Sequence, residues 1–150
     1  MTPESRHPKQ RNRVLALDYG RVHTGVAISD PSGLLARPLA DVSGAAGPEG
    51  AGRIARMIEE EDVGCVVVGM PVSLSGKKGR QAGETEEFIN LLKTSVDVPV
   101  LAWDERFTSK MAAEHAGGSR ASAHGIAACI LLEDYLISAD YQHRFGNEKT

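Results

Sequence analysis

A carboxylate at the far end of an apolar run is the first place in this sequence where chemistry could reside. VLALDY, Val14 to Tyr19, reads as a core strand, and Asp18 stands at its end just before Gly20. A carboxylate in such a run is costly unless something pairs with it. Asp18 therefore either gathers backbone N–H groups at the strand end or ligates a metal. A second carboxylate, Glu105, follows the WD that closes the strand-like VPVLAW, in the run DERFTS. In a mostly parallel α/β sheet, ligands collect beyond the C-terminal strand ends. That rule lets Asp18 and Glu105 lie side by side although they are far apart in sequence. Two carboxylates suit Mg²⁺ or Mn²⁺. The plainer alternative for Glu105 is a partner for Arg106 or a helix N-terminal contact.

Other chemistry-bearing side chains divide the same way. His124, before an apolar helix, is either a polar residue at the helix start or a nitrogen ligand or base, because imidazole changes charge near neutral pH. Thr108, in RFTSK, is an N-cap for a helix from Ser109 whose hydroxyl could also meet a phosphate oxygen. Ser122 is a similar cap. Three places concentrate cations: the head with Arg6, Lys9, Arg11 and Arg13; SGKKGRQ with Lys77, Lys78 and Arg80; and the stretch holding Arg106, Lys110 and Arg120. Each is either a solvated face or a phosphate-contacting surface. SGKKGRQ does not match the GxxxxGK[ST] phosphate loop. His23, Asp30 and His143 are too dispersed for a zinc signature. A single Trp103 does not establish a base-stacking platform.

The elements that must position these groups follow from hydropathy patterning. Val14–Gly20 and His23–Asp30 read as a hairpin, and Leu34–Val42 as a third strand after the turn at Pro31–Gly33. EGAGRIARMIEEE places Ile54, Met57 and Ile58 at helical spacing. VGCVVVGM, Val63 to Met70, is a near-continuous β-branched run, the pattern of a strand covered on both faces. Ser73–Gly83 reads as a surface loop, ETEEFINLLKTS as a helix, Val98–Trp103 as a strand and Ser109–Gly118 as a short helix. From Ser122 a helix apolar on most sides follows. Strands first, then alternating helices and strands, predict an α/β domain with a mixed sheet.

Bulk composition bounds the function. The chain has 150 residues, 41% of them hydrophobic and 25% charged, which fits one soluble globular domain. Seventeen Lys and Arg against twenty Asp and Glu give a formal charge of −3, which argues against a large basic field but leaves room for local basic surfaces. No apolar run is long enough to span a membrane. The polar head MTPESRHPKQRNR is no secretory signal, so a cytoplasmic location is expected. Cys65 and Cys129 sit in apolar contexts and read as buried free thiols.

Taken in order, LALDYGRVHTGVAISD, VVVGMPVSLSGKKG, LAWDERFTS and AACILLEDYL resemble the YqgF/RuvX family. These are RuvC-like relatives with an RNase H-like fold, described as pre-16S rRNA nucleases or Holliday-junction resolvase homologues. The resemblance covers Val14 to Leu136. It implies an α/β, RNase H-like domain over residues 13–138, with a five-stranded mixed sheet flanked by helices, an N-terminal tail over 1–12 and a C-terminal tail over 139–150. It places the family's first catalytic Asp on Asp18, its GLP motif on Gly69, Met70 and Pro71, its acidic DER motif on Asp104, Glu105 and Arg106, and its Thr on Thr108. Where the family has an Asp at the start of the last helix, this sequence has His124.

The resemblance thus implies a metal-dependent nuclease with Asp18, Glu105 and His124 as catalytic metal ligands for Mg or Mn, imidazole tilting the preference toward Mn²⁺. Lys77, Lys78, Arg80, Arg106, Thr108 and Arg120 are the substrate-binding candidates. The expected substrate is structured RNA, with processing of the 5′ end of pre-16S rRNA as the leading activity. One alternative is a Holliday junction resolvase acting on branched DNA as a homodimer. Others are a non-catalytic nucleic-acid-binding module with a degenerate metal site and an α/β protein binding a small phosphate compound.

Overall fold

Alternation along one strand sets the layers. The structure, a computed structural model, describes residues 12–71, 80–105 and 123–145, with the backbone alone at Arg80 and Glu105. Strand β1 (Arg13–Asp18) turns Leu15 and Leu17 toward one hydrophobic cluster and Val14 and Ala16 toward another. β2 (His23–Ser29) pairs with it antiparallel, and β3 (Ala36–Ser43) pairs antiparallel with β2. Helix α1 (Pro48–Glu60) then crosses to β4 (Val63–Pro71), which runs parallel to β1. Helix α2 (Arg80–Ser95) crosses to β5 (Val100–Glu105), parallel to β4. The order is β3-β2-β1-β4-β5, and the sheet is mixed, as the patterning predicts, and five-stranded, as the resemblance implies.

Each face has its own cover. Ile54 and Ile58 of α1, with Phe88 and Leu92 of α2, pack on Leu15, Leu17, Val66 and Val68. On the opposite face lies α3 (Ala123–Leu136), whose Ala128, Leu131, Leu132 and Tyr135 cover Val14, Ala16, Cys65 and Val67. A strand buried on both faces must be apolar on both, which explains the β-branched run of β4. Both cysteines are free and buried, and burial pushes their thiols up to about 11. No helix among the described residues is long and apolar enough to cross a membrane.

Four boundaries differ from the sequence reading. Residues 80–83 open α2 instead of ending a loop. β5 runs on through Asp104 and Glu105, because its ladder with β4 continues to Met70↔Asp104 and Pro71↔Glu105. Leu34 and Leu35 precede β3 in a turn, with their side chains exposed. Residues expected in a C-terminal tail form α4 (Ala139–Phe145). Its Tyr141 is buried against the second cluster, and the Tyr135 hydroxyl donates to Asp140 at 2.7 Å. Gly33 has φ +76°, and a Cβ there would lie 1.9 Å from the Tyr141 hydroxyl, so only glycine lets the β2–β3 turn rest on α4. The predicted helix Ser109–Gly118 and the cap Ser122 lie outside the described residues.

Candidate active site

Asp18 belongs to the set Val14, Ala16, Asp18 that alternation aims at α3. Its register partner across the hairpin is Gly25. A Cβ on Gly25 would lie 2.0 Å from the His124 carbonyl oxygen and 2.7 Å from the Gly125 nitrogen. The bare backbone of β2 therefore admits the first turn of α3 directly onto the sheet. That contact brings His124, the second residue of α3, above the end of β1. His124 Nδ1 lies 3.2 Å from Asp18 Oδ2, with the Asp18 side chain 16% exposed and that of His124 46% exposed. Two groups separated by most of the sequence thus meet because one strand position has no side chain.

Glu105 closes β5, in register with Pro71 at the end of β4. Its backbone ends on the same edge of the parallel strands as Asp18. Arg80 is the first residue of α2. Lys77, Lys78, Arg106, Thr108 and Arg120 lie outside the described residues. Trp103 is an anchor: its Nε1–H donates to Asp134 at 2.9 Å, and its ring meets Tyr135 edge-on at 4.9 Å.

The sequence reading passed over a second pair beside the first. Tyr19 points to the other face and stacks on Phe88 of α2, with centroids 4.4 Å apart and planes 16° apart. This stack fixes α2 against the end of β1. Glu84, one turn before Phe88, then reaches the β1–β2 turn, where Arg21 Nε donates to both of its carboxylate oxygens at 3.0 Å. Arg21 Nη2 also donates to Glu84. Hydrogen bonding to Glu84 and its charge raise the Arg21 pKa above the ordinary value. Arg21, Val22, His23, Glu84 and His124 line a cleft of about 370 Å³. Nothing local in DYGRVHTG or in GETEEF marks this pair, since it depends on the fold bringing α2 to the hairpin.

The donor set fits a divalent cation. Two ligands at cis positions of an octahedral ion, each about 2.1 Å from it, stand about 3 Å apart, and Asp18 Oδ2 and His124 Nδ1 are separated by 3.2 Å. Carboxylate with imidazole favours Mn²⁺ among the cations that accept oxygen-rich sites. Among the described residues no group of three or more His, Cys, Asp or Glu side chains could hold a metal ion, so a cation at this pair would need a further donor such as the Glu105 side chain.

The sheet order and the helix over β1 give an RNase H-like fold. Thermus thermophilus RuvC, solved "in complex with Holliday junction substrate", superposes with TM-score 0.59 at 19% identity, over 89% of this chain and 96% of that one. The fowlpox virus Holliday junction resolvase superposes with TM-score 0.51 at 14% identity, over 83% and 97%. At such identities the likeness is one of fold. The chain belongs to the RuvX family, whose profile, described as "Holliday junction resolvase", matches residues 12–138. Among its relatives, a Thermoanaerobacter pseudethanolicus protein named "Putative pre-16S rRNA nuclease" is 34% identical over 134 residues, 84% of this chain and 96% of that one. A Rubrobacter xylanophilus protein of the same name is 39% identical over 130 residues, 83% and 91%.

Proposed function

We propose that this chain is a metal-dependent endonuclease that cleaves a phosphodiester in structured RNA, and that its substrate is the 5′ region of pre-16S rRNA in the cytoplasm. The observation that carries the reading is the approach of His124 Nδ1 to Asp18 Oδ2 at the end of β1. The substrate class rests on the name shared by relatives that align over most of both chains. Asp18, Glu105 and His124 would hold Mg²⁺ or Mn²⁺. Such a cation, when bound, supplies Lewis-acid charge at the phosphoryl oxygens and lowers the pKa of a ligated water. The chain's own part is to fix the ligands and the strand. Asp18 is held by a core strand, and His124 by a helix seated on Gly25. Lys77, Lys78, Arg80, Arg106, Thr108 and Arg120 would contact phosphates, positioning the substrate without reading its sequence.

A second reading, Holliday junction resolution, draws on the description of the matching family. A symmetric four-way junction requires two active sites and hence a dimer. The deciding experiment incubates the chain with a precursor 16S rRNA fragment and with a four-way DNA junction, each with Mg²⁺ and with Mn²⁺. The nuclease reading expects cleavage of the RNA and a requirement for metal. Junction cleavage by a dimer would replace it with the resolvase reading. Binding without cleavage under every condition would leave a binding module.

A further inference from the structure

The Arg21–Glu84 pair has the wrong location for a structural tie and the right one for a substrate contact. It lies on the surface, with the Arg21 side chain 62% exposed, and exposed ion pairs contribute little to stability. Both partners line the same cleft as His124, whose ring meets Asp18, so an occupant of that cleft would lie against the pair and against His124. The volume, about 370 Å³, is within the range of sites that accept small organic groups, of which a nucleotide is one. The guanidinium presents two of its nitrogens to Glu84, with Nε 3.0 Å from each carboxylate oxygen. A phosphate matches the same planar, two-pronged presentation.

We propose that Arg21 binds a backbone phosphate of the nucleic-acid strand lying in this cleft, and that Glu84 occupies the guanidinium fork until the strand displaces it. The proposal rests on the nuclease reading for the class of ligand, and on the ion pair and the cleft for the residues. Glu84 fixes the Arg21 guanidinium in the lining of the cleft, so the cation is in place before the strand arrives. The same carboxylate repels the incoming polyanion, so the exchange favours ligands that offer Arg21 a full negative charge. A neutral or weakly charged molecule of similar size would leave the pair closed. Arg21 thus acts as a positioning residue for the strand beside the reacting phosphodiester.

The two partners separate a substrate contact from a structural one, because Arg21→Ala and Glu84→Gln abolish the same ion pair. Both are made in the full-length chain carrying Asp18→Asn, so that binding is read without cleavage. Equilibrium binding of a fluorescent RNA hairpin with a single-stranded 5′ extension, and of a four-way DNA junction, is measured with Mn²⁺ over a range of salt. R21A is expected to bind about tenfold more weakly, the loss of one charged hydrogen-bonded contact, and to lower the salt slope by roughly 0.7–0.9. E84Q is expected to bind several-fold more tightly than its parent. Arg21→Lys, which keeps the charge and loses the fork, should fall between R21A and the parent. Melting temperatures should fall only slightly in R21A and in E84Q. Affinity shifts of the same sign in R21A and E84Q, or none in either, would overturn this assignment and leave the nuclease reading standing. Failure to bind either probe both in this parent and in the chain with Asp18 intact would overturn both.

Discussion

At the scale of single residues, the catalytic proposal stands or falls on Asp18 and His124. Asp18→Asn keeps the shape and the hydrogen-bonding capacity of the side chain and removes its charge. It is expected to abolish metal-dependent cleavage while leaving circular dichroism and melting temperature near those of the parent, and a folded, active variant would remove Asp18 from the chemistry. His124→Ala is expected to lose most Mn²⁺ affinity, read by metal titration, together with cleavage. His124→Asp adds a negative charge and a harder oxygen ligand, so it is expected to retain cleavage and shift preference toward Mg²⁺. If His124 serves only as a polar residue at the helix start, H124A should match wild type in both measurements and lose about 1 kcal/mol of stability or less. Both residues were legible in the sequence, because a carboxylate ending an apolar run and a histidine opening an apolar helix each break a strong local pattern. Arg21 and Glu84 break none, being ordinary polar residues of a turn and of a helix. Their partnership is set by the Tyr19–Phe88 stack, a long-range contact.

At the scale of elements, Gly25 is the position on which the site depends most. Gly25→Ala would drive a methyl group into the His124 carbonyl, which belongs to the backbone and cannot swing aside. Helix α3 would have to lift, carrying His124 away from Asp18. A loss of about 3 kcal/mol in stability, at the upper end of the overpacking range, is expected from urea unfolding. Cleavage should be lost even where the fold survives. The β2–β3 turn has its own clasp. Burial alone would raise the pKa of Asp30, but hydrogen bonds from the Ser32 hydroxyl and the N–H groups of Leu35, Leu34 and Ser32 outweigh it and lower the pKa to about 2. The folded pKa lies below the unfolded value of about 3.9. The stabilisation is therefore complete above that value and is lost as pH falls from there through about 2. Asp30→Ala should cost about 1–2 kcal/mol near neutrality, and its stability curve should converge on that of the parent at the acid end. Strand and helix types were readable from alternation and helical spacing. Helix α4 escaped because ADYQHRF offers only Tyr141 and Phe145 as apolar anchors, and its docking depends on Gly33 yielding space to Tyr141.

At the scale of the whole molecule, a formal charge of −3 means that attraction to nucleic acid must be local. Replacing Lys77, Lys78 and Arg80 together by Gln is expected to weaken RNA binding and to reduce the salt slope by about 0.9 for each duplex phosphate they neutralise. Single-turnover cleavage at saturating RNA should change less than affinity does. An unaltered slope would mean that these cations only face solvent. The two buried thiols supply a clock for the same architecture. Cys65 lies on a central strand under α3, and Cys129 lies on α3 itself. A thiol-reactive disulfide must wait for the helix to come away before it can reach either sulfur. A cation held by Asp18 and His124 would clamp the first turn of that helix to the sheet. Mn²⁺ should therefore slow the modification of Cys129 by Ellman's reagent in the intact protein, and H124A should abolish that slowing. Occupancy of the proposed metal site then becomes readable as a labelling rate, with no nucleic acid in the tube.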